Sequence, residues 1–328
     1  MNRAFGDTER FERETVQHAT AGFPLPNGTR VGIPLVRIFG QCPQPRVVIV
    51  AGVHGDELVG PRALVELAQE LAPRDLHGTV VLVPSANPLA FAAGQRRAPE
   101  DDIDLNRIFP GKGGGSTTER IAHSLVTSAV GSADMIIDLH SAGREGDLVP
   151  LSGFREARTD CAHRSALAAA AFGLEHYWMM RWAPGTLSTW ANQQGIPAVG
   201  CEVGGRGTAT REQIDLYMAG VVRCLRHLGV LDPPLEVTLP PKVWTQEYLT
   251  APCDGLLEVL VELGQDVASG ETLACVRDLW GNVCGEITAP QDCKIMYTRT
   301  HQSVQTGENV FWLGREEDNP CYSSPSNT

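Results

Sequence analysis

A histidine and a glutamate stand three residues apart in VVIVAGVHGDELVG, residues 47–60, directly after a β-branched apolar run. On a turn that opens a helix, positions i and i+3 face the same way, so His54 and Glu57 can meet one ion. Gly52 and Gly55 permit the tight turn and a close backbone approach. Taken alone, the pattern equally describes a histidine ahead of a helix beside a solvated glutamate. A second apolar run, MIIDLH, ends in His140, and a third, AVGCEVGG, delivers Glu202. Two imidazoles and one carboxylate make an open zinc site, and a further glutamate is what such a site needs to accept a proton from water. Glu57 is tied to His54 by spacing, so Glu202 is the free one. The chemistry expected is hydrolysis.

Neighbouring residues carry competing readings. Asp138 shares a strand face with His140, where it can orient the imidazole or serve as a structural acid bonded to a nearby loop. Cys201 alternates away from Glu202 and is read as core rather than as a ligand or nucleophile. The chain has no GxSxG, which argues against a serine hydrolase. His123, His163, His176, His227 and His301 lack partners at metal-like spacing.

These residues can converge only if the three apolar runs are neighbouring strands whose carboxyl ends form one rim. From residue 46 onward, strand-like runs alternate with helical patterns at 58–71, 117–130, 161–172 and 210–228. Unbroken apolar strands separated by helices mean an α/β fold, a parallel or mixed sheet covered on both faces. Residues 87–116 break the pattern with a long loop rich in Gly, Pro and charge, of the kind that carries function. The Pro-rich segment 232–242 reads as a linker between a hydrolase domain, 1–231, and a smaller β domain, 243–314, followed by a tail, 315–328.

Two stretches of the β domain, from Ala251 and from Ala289, repeat an Ala-Pro-x-Asp start and a later Gly-Glu before a closing strand. The repeat resembles the biotinyl/lipoyl-like barrel-sandwich fold. A carrier module presents a modified lysine at a hairpin tip, but RDLWGNVCGEI between the halves holds none, and Lys294 sits in a strand-like context.

The totals bound the partners. With 27 basic and 39 acidic residues the net charge is −12, which argues against nucleic-acid binding. No apolar span of membrane length and no apolar leader stand in the sequence, so a soluble, cytoplasmic protein is expected. Nine cysteines without a CxxC are expected to be reduced and mostly buried.

His54-x-x-Glu57, DLNR at 104–107, DLH at 138–140 and EVGG at 202–205, in that order, resemble the succinylglutamate desuccinylase/aspartoacylase family over roughly residues 30–230. The resemblance implies a zinc carboxypeptidase-like mixed sheet flanked by helices, with a smaller all-β barrel-sandwich domain at the C-terminus. It implies one zinc per chain held by His54, Glu57 and His140, with Glu202 as general base and then acid. It also places Arg96 as the cation that polarises the scissile carbonyl, and Asn106 and Arg107 as the pair that binds a substrate carboxylate. The expected partner is a small N-acyl amino acid; family members with an appended β domain include deacetylases of acetylated diaminobutyrate. The rivals are a metallocarboxypeptidase and a non-enzymatic metal-binding or carrier module. Homo-oligomerisation stays open.

Overall fold

Every residue of the Arg46–Ala51 strand is buried, as the unbroken apolar run from Val47 requires of a strand covered on both faces. The computed structural model describes residues 11–25, 28, 30–157 and 159–321. Residues 1–10, where no apolar leader was found, and 322–328, the end of the tail, lie outside them.

In chain order the first strands are β1 (Thr15–Pro24), β2 (Arg30–Phe39), β3 (Arg46–Ala51), β4 (Thr79–Val83), β5 (Met135–His140), β6 (Gly146–Leu148), β7 (Leu151–Arg155), β8 (His176–Met180) and β9 (Ala198–Glu202). The α-helices are α1 (Val59–Glu70), α2 (Pro88–Ala93), α3 (Thr117–Ser128), α4 (Asp160–Phe172), α5 (Leu187–Gln193) and α6 (Arg211–His227). After them come β10 (Lys242–Thr250), β11 (Gly255–Val259), β12 (Asp266–Val267), β13 (Thr272–Arg277), β14 (Val283–Thr288), β15 (Cys293–Arg299), β16 (Ser303–Val304) and β17 (Asn309–Asp318).

The large mixed sheet runs β1-β2-β4-β3-β5-β9-β7-β8. Within it β4, β3, β5 and β9 are parallel, so the three strand ends that carry His54, His140 and Glu202 emerge together. Alternation then sorts the side chains. Val47, Ile49, Ile137, Leu139, Val199 and Cys201 face one core, built with Leu64, Leu67, Phe172 and Tyr217. Val48, Val50, Ile136 and Ala198 face the other, with Ile121, Leu125, Leu187 and Trp190. Asp138, His140 and Glu202 therefore share the second face, while Cys201 lies in the first core as its alternation required.

The sheet does not stop at the Pro-rich segment. Trp244 of β10 pairs in parallel with Trp178 of β8, and the order continues β10-β17-β15-β12, with β6 beside β15. A separate antiparallel sheet, β14-β13-β11-β16, packs over this extension through Leu257, Leu273, Val276, Ile295 and Phe311. Segment 232–242 is itself packed: Leu235, Val237 and Leu239 lie against the first core. Lys294 sits inside β15, its Nζ on Asp266 Oδ1 at 2.9 Å and Gly264 O at 3.1 Å, and the β13–β14 tip exposes Leu279 and Trp280 instead of a lysine.

Of the cysteines only Cys201 and Cys224 are buried, so the expectation of a mostly buried set fails; the others are exposed or half-buried, Cys161 near the start of α4 among them. Among the described residues no helix is long and apolar enough to cross a membrane.

Candidate metal centre and its cleft

The chain leaves β3 through Gly52, whose φ of 63° makes the turn that carries His54 out of the strand direction. Gly55 lies against the backbone of α2: a Cβ there would stand 2.0 Å from the carbonyl carbon of Ala90. Gly55→Ala should consequently displace the His54–Glu57 turn and cost about 1–3 kcal/mol. Thermal unfolding and metal content, both expected to fall, check it.

His54, Glu57 and His140 are all buried, and one ligand atom from each lies within 4.8 Å of the others. Among the described residues no other group of three His, Cys, Asp or Glu does this. His54 Nδ1 is 2.6 Å from Glu57 Oε1 and His140 Nδ1 is 2.8 Å from Glu57 Oε2. The outer nitrogens face acids as well: His54 Nε2 lies 3.2 Å from Asp104 Oδ1, and His140 Nε2 lies 3.1 Å from Asp138 Oδ2. If each Nε2–H donates to its outer carboxylate, both Nδ1 lone pairs point at the Glu57 oxygens. Acceptor against acceptor in a buried place calls for a cation between them, and a two-imidazole, one-carboxylate donor set suits zinc.

Electrostatics agree. Burial pushes the Glu57 carboxyl up, yet His54 and His140 hold it well below the usual carboxylate range. Burial pushes His140 down, but Asp138 and Glu57 raise it well above an ordinary imidazole. The cluster is short of positive charge.

Glu202 ends β9 opposite His140 in register, and its Oε2 is buried without a partner. Burial raises this carboxyl to about 8, with Glu57 and Asp138 adding to the rise against the pull of His140 and Arg96.

Asp138 takes the imidazole-orienting role of its two readings. Asp56, beside the ligands in sequence, turns away and accepts from the Arg144 backbone N–H at 3.1 Å. Arg96 lies between Asp104, at 3.0 Å, and Glu57, at 3.6 Å, whereas adjacent Arg97 turns to Asp102. Asn106 uses its Oδ1 on the Leu187 backbone N–H at 2.8 Å, while its Nδ2 stands 3.4 Å from His140 Nε2. With the Nε2 proton given to Asp138, the Asn106 amide hydrogens would remain for the cleft. Arg107 bonds the Asn106 carbonyl and has no carboxylate partner among the described residues. Arg96, Asn106 and Arg107, with Trp178 and Arg181, line a cleft of about 1520 Å³ to which β10 and β17 contribute Tyr248 and Trp312.

Two residues of the site escaped the sequence reading. Asp104 binds both His54 and Arg96, and those contacts hold it well below the carboxylate range although burial opposes them. Its signal was the first letter of DLNR. Tyr217 of α6 donates its hydroxyl to the carbonyls of His140 and Cys201, tying two strand ends together, and nothing in a helical pattern marks it.

A mixed sheet with a buried His-Glu-His cluster and a glutamate at its strand ends defines a class of α/β proteins whose sheet rim could hold a metal. Residues 43–228 match the succinylglutamate desuccinylase/aspartoacylase catalytic domain, and the chain belongs to that family. It is 33% identical to the N-alpha-acetyl-L-2,4-diaminobutyric acid deacetylase of Halomonas elongata, with 92% of each chain covered. The product-bound ectoine utilization protein EutE (DoeB) of Ruegeria pomeroyi superimposes with a TM-score of 0.84 at 29% identity, over 94% of this chain and 97% of that one. A succinylglutamate desuccinylase/aspartoacylase structure from Rhodobacter sphaeroides gives 0.86 at 28% identity, over 97% and 100%.

Proposed function

We propose that this protein hydrolyses the amide bond of small N-acyl amino acids, with one zinc ion per chain. The convergence of His54, Glu57 and His140 lone pairs on one buried point carries the reading. These three would hold the ion, which when bound polarises a carbonyl and acidifies water. Glu202 takes a proton from the attacking water and passes it to the departing amine nitrogen. Arg96, anchored by Asp104, sets a positive charge where the carbonyl oxygen gains negative charge. Asn106 offers an amide, and Arg107 a planar fork with no carboxylate partner among the described residues, to the substrate carboxylate. Asp104 and Asp138 fix the imidazoles in the required tautomer.

The activity named for the Halomonas relative, similar over 92% of its length, supports Nα-acetyl-2,4-diaminobutyrate as the first substrate to try. Purified protein with its metal content measured should release acetate from it and leave unblocked dipeptides intact. A protein that cleaves peptides but no N-acyl amino acid would overturn the reading in favour of a carboxypeptidase.

Arg107→Met should lower kcat/KM for the carboxylate substrate roughly tenfold to a hundredfold, about 1.5–3 kcal/mol for a charged hydrogen bond. The amide-capped analogue should show no such drop, and steady-state kinetics on both compounds check the pair.

A further inference from the structure

Two cysteines that the hydrolytic reading leaves unused stand side by side in the C-terminal β region. Cys253 lies in the turn between β10 and β11, Cys284 in β14, and their Sγ atoms are 3.0 Å apart. Among the described residues no other two cysteine sulfurs meet. The local backbone brings them together. In the β13–β14 ladder Val276 faces Gly285 and Arg277 faces Val283, so Cys284 is the extra residue of a bulge, which re-aims its side chain out of the ladder. Gly285 then leaves room: a Cβ there would lie 2.9 Å from Cys253 Sγ and 2.5 Å from Pro252 Cγ. The opposite side is held as well. Asp254 accepts from both the backbone N–H and the hydroxyl of Thr306 at 2.7 Å, and the Ala251 N–H donates to Glu308 O at 2.8 Å. Both thiols are open to solvent, Cys284 exposed and Cys253 partly so.

We propose that Cys253 and Cys284 are a dithiol modification site that small-molecule disulfides, of which glutathione disulfide is the simplest probe, convert to an intramolecular disulfide. The more exposed Cys284 attacks first, as a thiolate. A sulfur–sulfur bond forms to one half of the reagent, the reagent's own bond breaks, and one small thiolate leaves. Cys253 then loses its proton to solvent and attacks the Cys284 sulfur, releasing the second small thiolate. Two protein thiols are oxidised, one small disulfide is reduced to two thiols, and the protons end on the released thiolates. The proton shared between the sulfurs raises Cys253 to about 11, which suits it to the second step, after the mixed disulfide has removed that sharing. The bond would tie β14, at the margin of the four-stranded sheet, to the turn leaving β10, and Thr250 and Glu308 beside that turn line the cleft.

The full-length protein, reduced and freed of reductant, is incubated natively with glutathione disulfide, alkylated and mapped by mass spectrometry. The expected result is a link between the Cys253 and Cys284 peptides, with no link among the other seven of the nine cysteines. The cross-link should also raise the midpoint of thermal unfolding by constraining the unfolded chain. In Cys253→Ser, glutathione should remain on Cys284, since nothing resolves it. A map that links other cysteines, or native protein in which both thiols still alkylate after incubation, overturns the proposal. An unmodified Cys284 in the Cys253→Ser protein overturns the order of attack and with it the proposed site chemistry.

Discussion

Glu202→Gln should abolish most hydrolysis and leave the metal in place. Glutamine keeps the size and the position at the end of β9, but an amide cannot take a proton from water, and general-base contributions of this kind are worth at least about a hundredfold in rate. The wild-type Oε2 has no hydrogen-bond partner to lose, so the variant should fold as the parent does. Metal content per chain and kcat on an N-acyl amino acid are the two measurements. Retained metal with a rate drop of about a hundredfold or more supports the role. Lost metal would put Glu202 among the ligands, and an unchanged rate would remove it from the chemistry and favour a module that only binds a metal.

His140→Ala should empty the site. One of two imidazoles disappears, and with it the group that bridges Glu57 at 2.8 Å and Asp138 at 3.1 Å. Asp138 Oδ1 is already without a partner, so the change leaves a second buried acidic oxygen uncompensated, and unpaired buried charge is costly. We expect no bound zinc after exhaustive dialysis, no measurable hydrolysis, and a lower unfolding midpoint. A folded His140→Ala protein still carrying one zinc per chain would sink the ligand set. Because the main-chain carbonyl of residue 140 accepts from Tyr217, the strand end should stay anchored, which makes loss of metal the sharper readout.

The β region alters how substrate size can be tested. Deleting residues 243–328 would remove β10, which pairs with β8, and β15, which pairs with β6 just beyond the ligand strand. Arg299 of β15, itself buried, also reaches Glu145 at 3.2 Å in the loop that follows His140. A truncated chain would report a broken sheet rather than an uncovered cleft. Substitutions at Tyr248 or Trp312, on the cleft wall, probe the same question with the sheet intact.

Much of this protein was legible without coordinates because its signals are local. A continuous apolar run bounded by turns specifies a buried strand, alternation fixes which residues share a face, and together they placed His54, His140 and Glu202 on one rim and Cys201 in the core. Four short motifs in order pointed to the family for the same reason. What the chain could not announce were pairings between distant segments. Asp104 reaching His54 across fifty residues, Tyr217 bonding two strand ends and the bulge that sets Cys284 against Cys253 each depend on where separate elements dock. The continuation of the sheet from β8 into β10 is of that kind: Trp178 and Trp244 pair through backbone hydrogen bonds that every residue can make, so no side-chain pattern encodes the match. Sequence alone proposed the donors and determined the strands that carry them; tertiary structure decided that the outer imidazole nitrogens meet Asp104 and Asp138 and the inner ones the Glu57 oxygens, because those contacts depend on how distant segments dock.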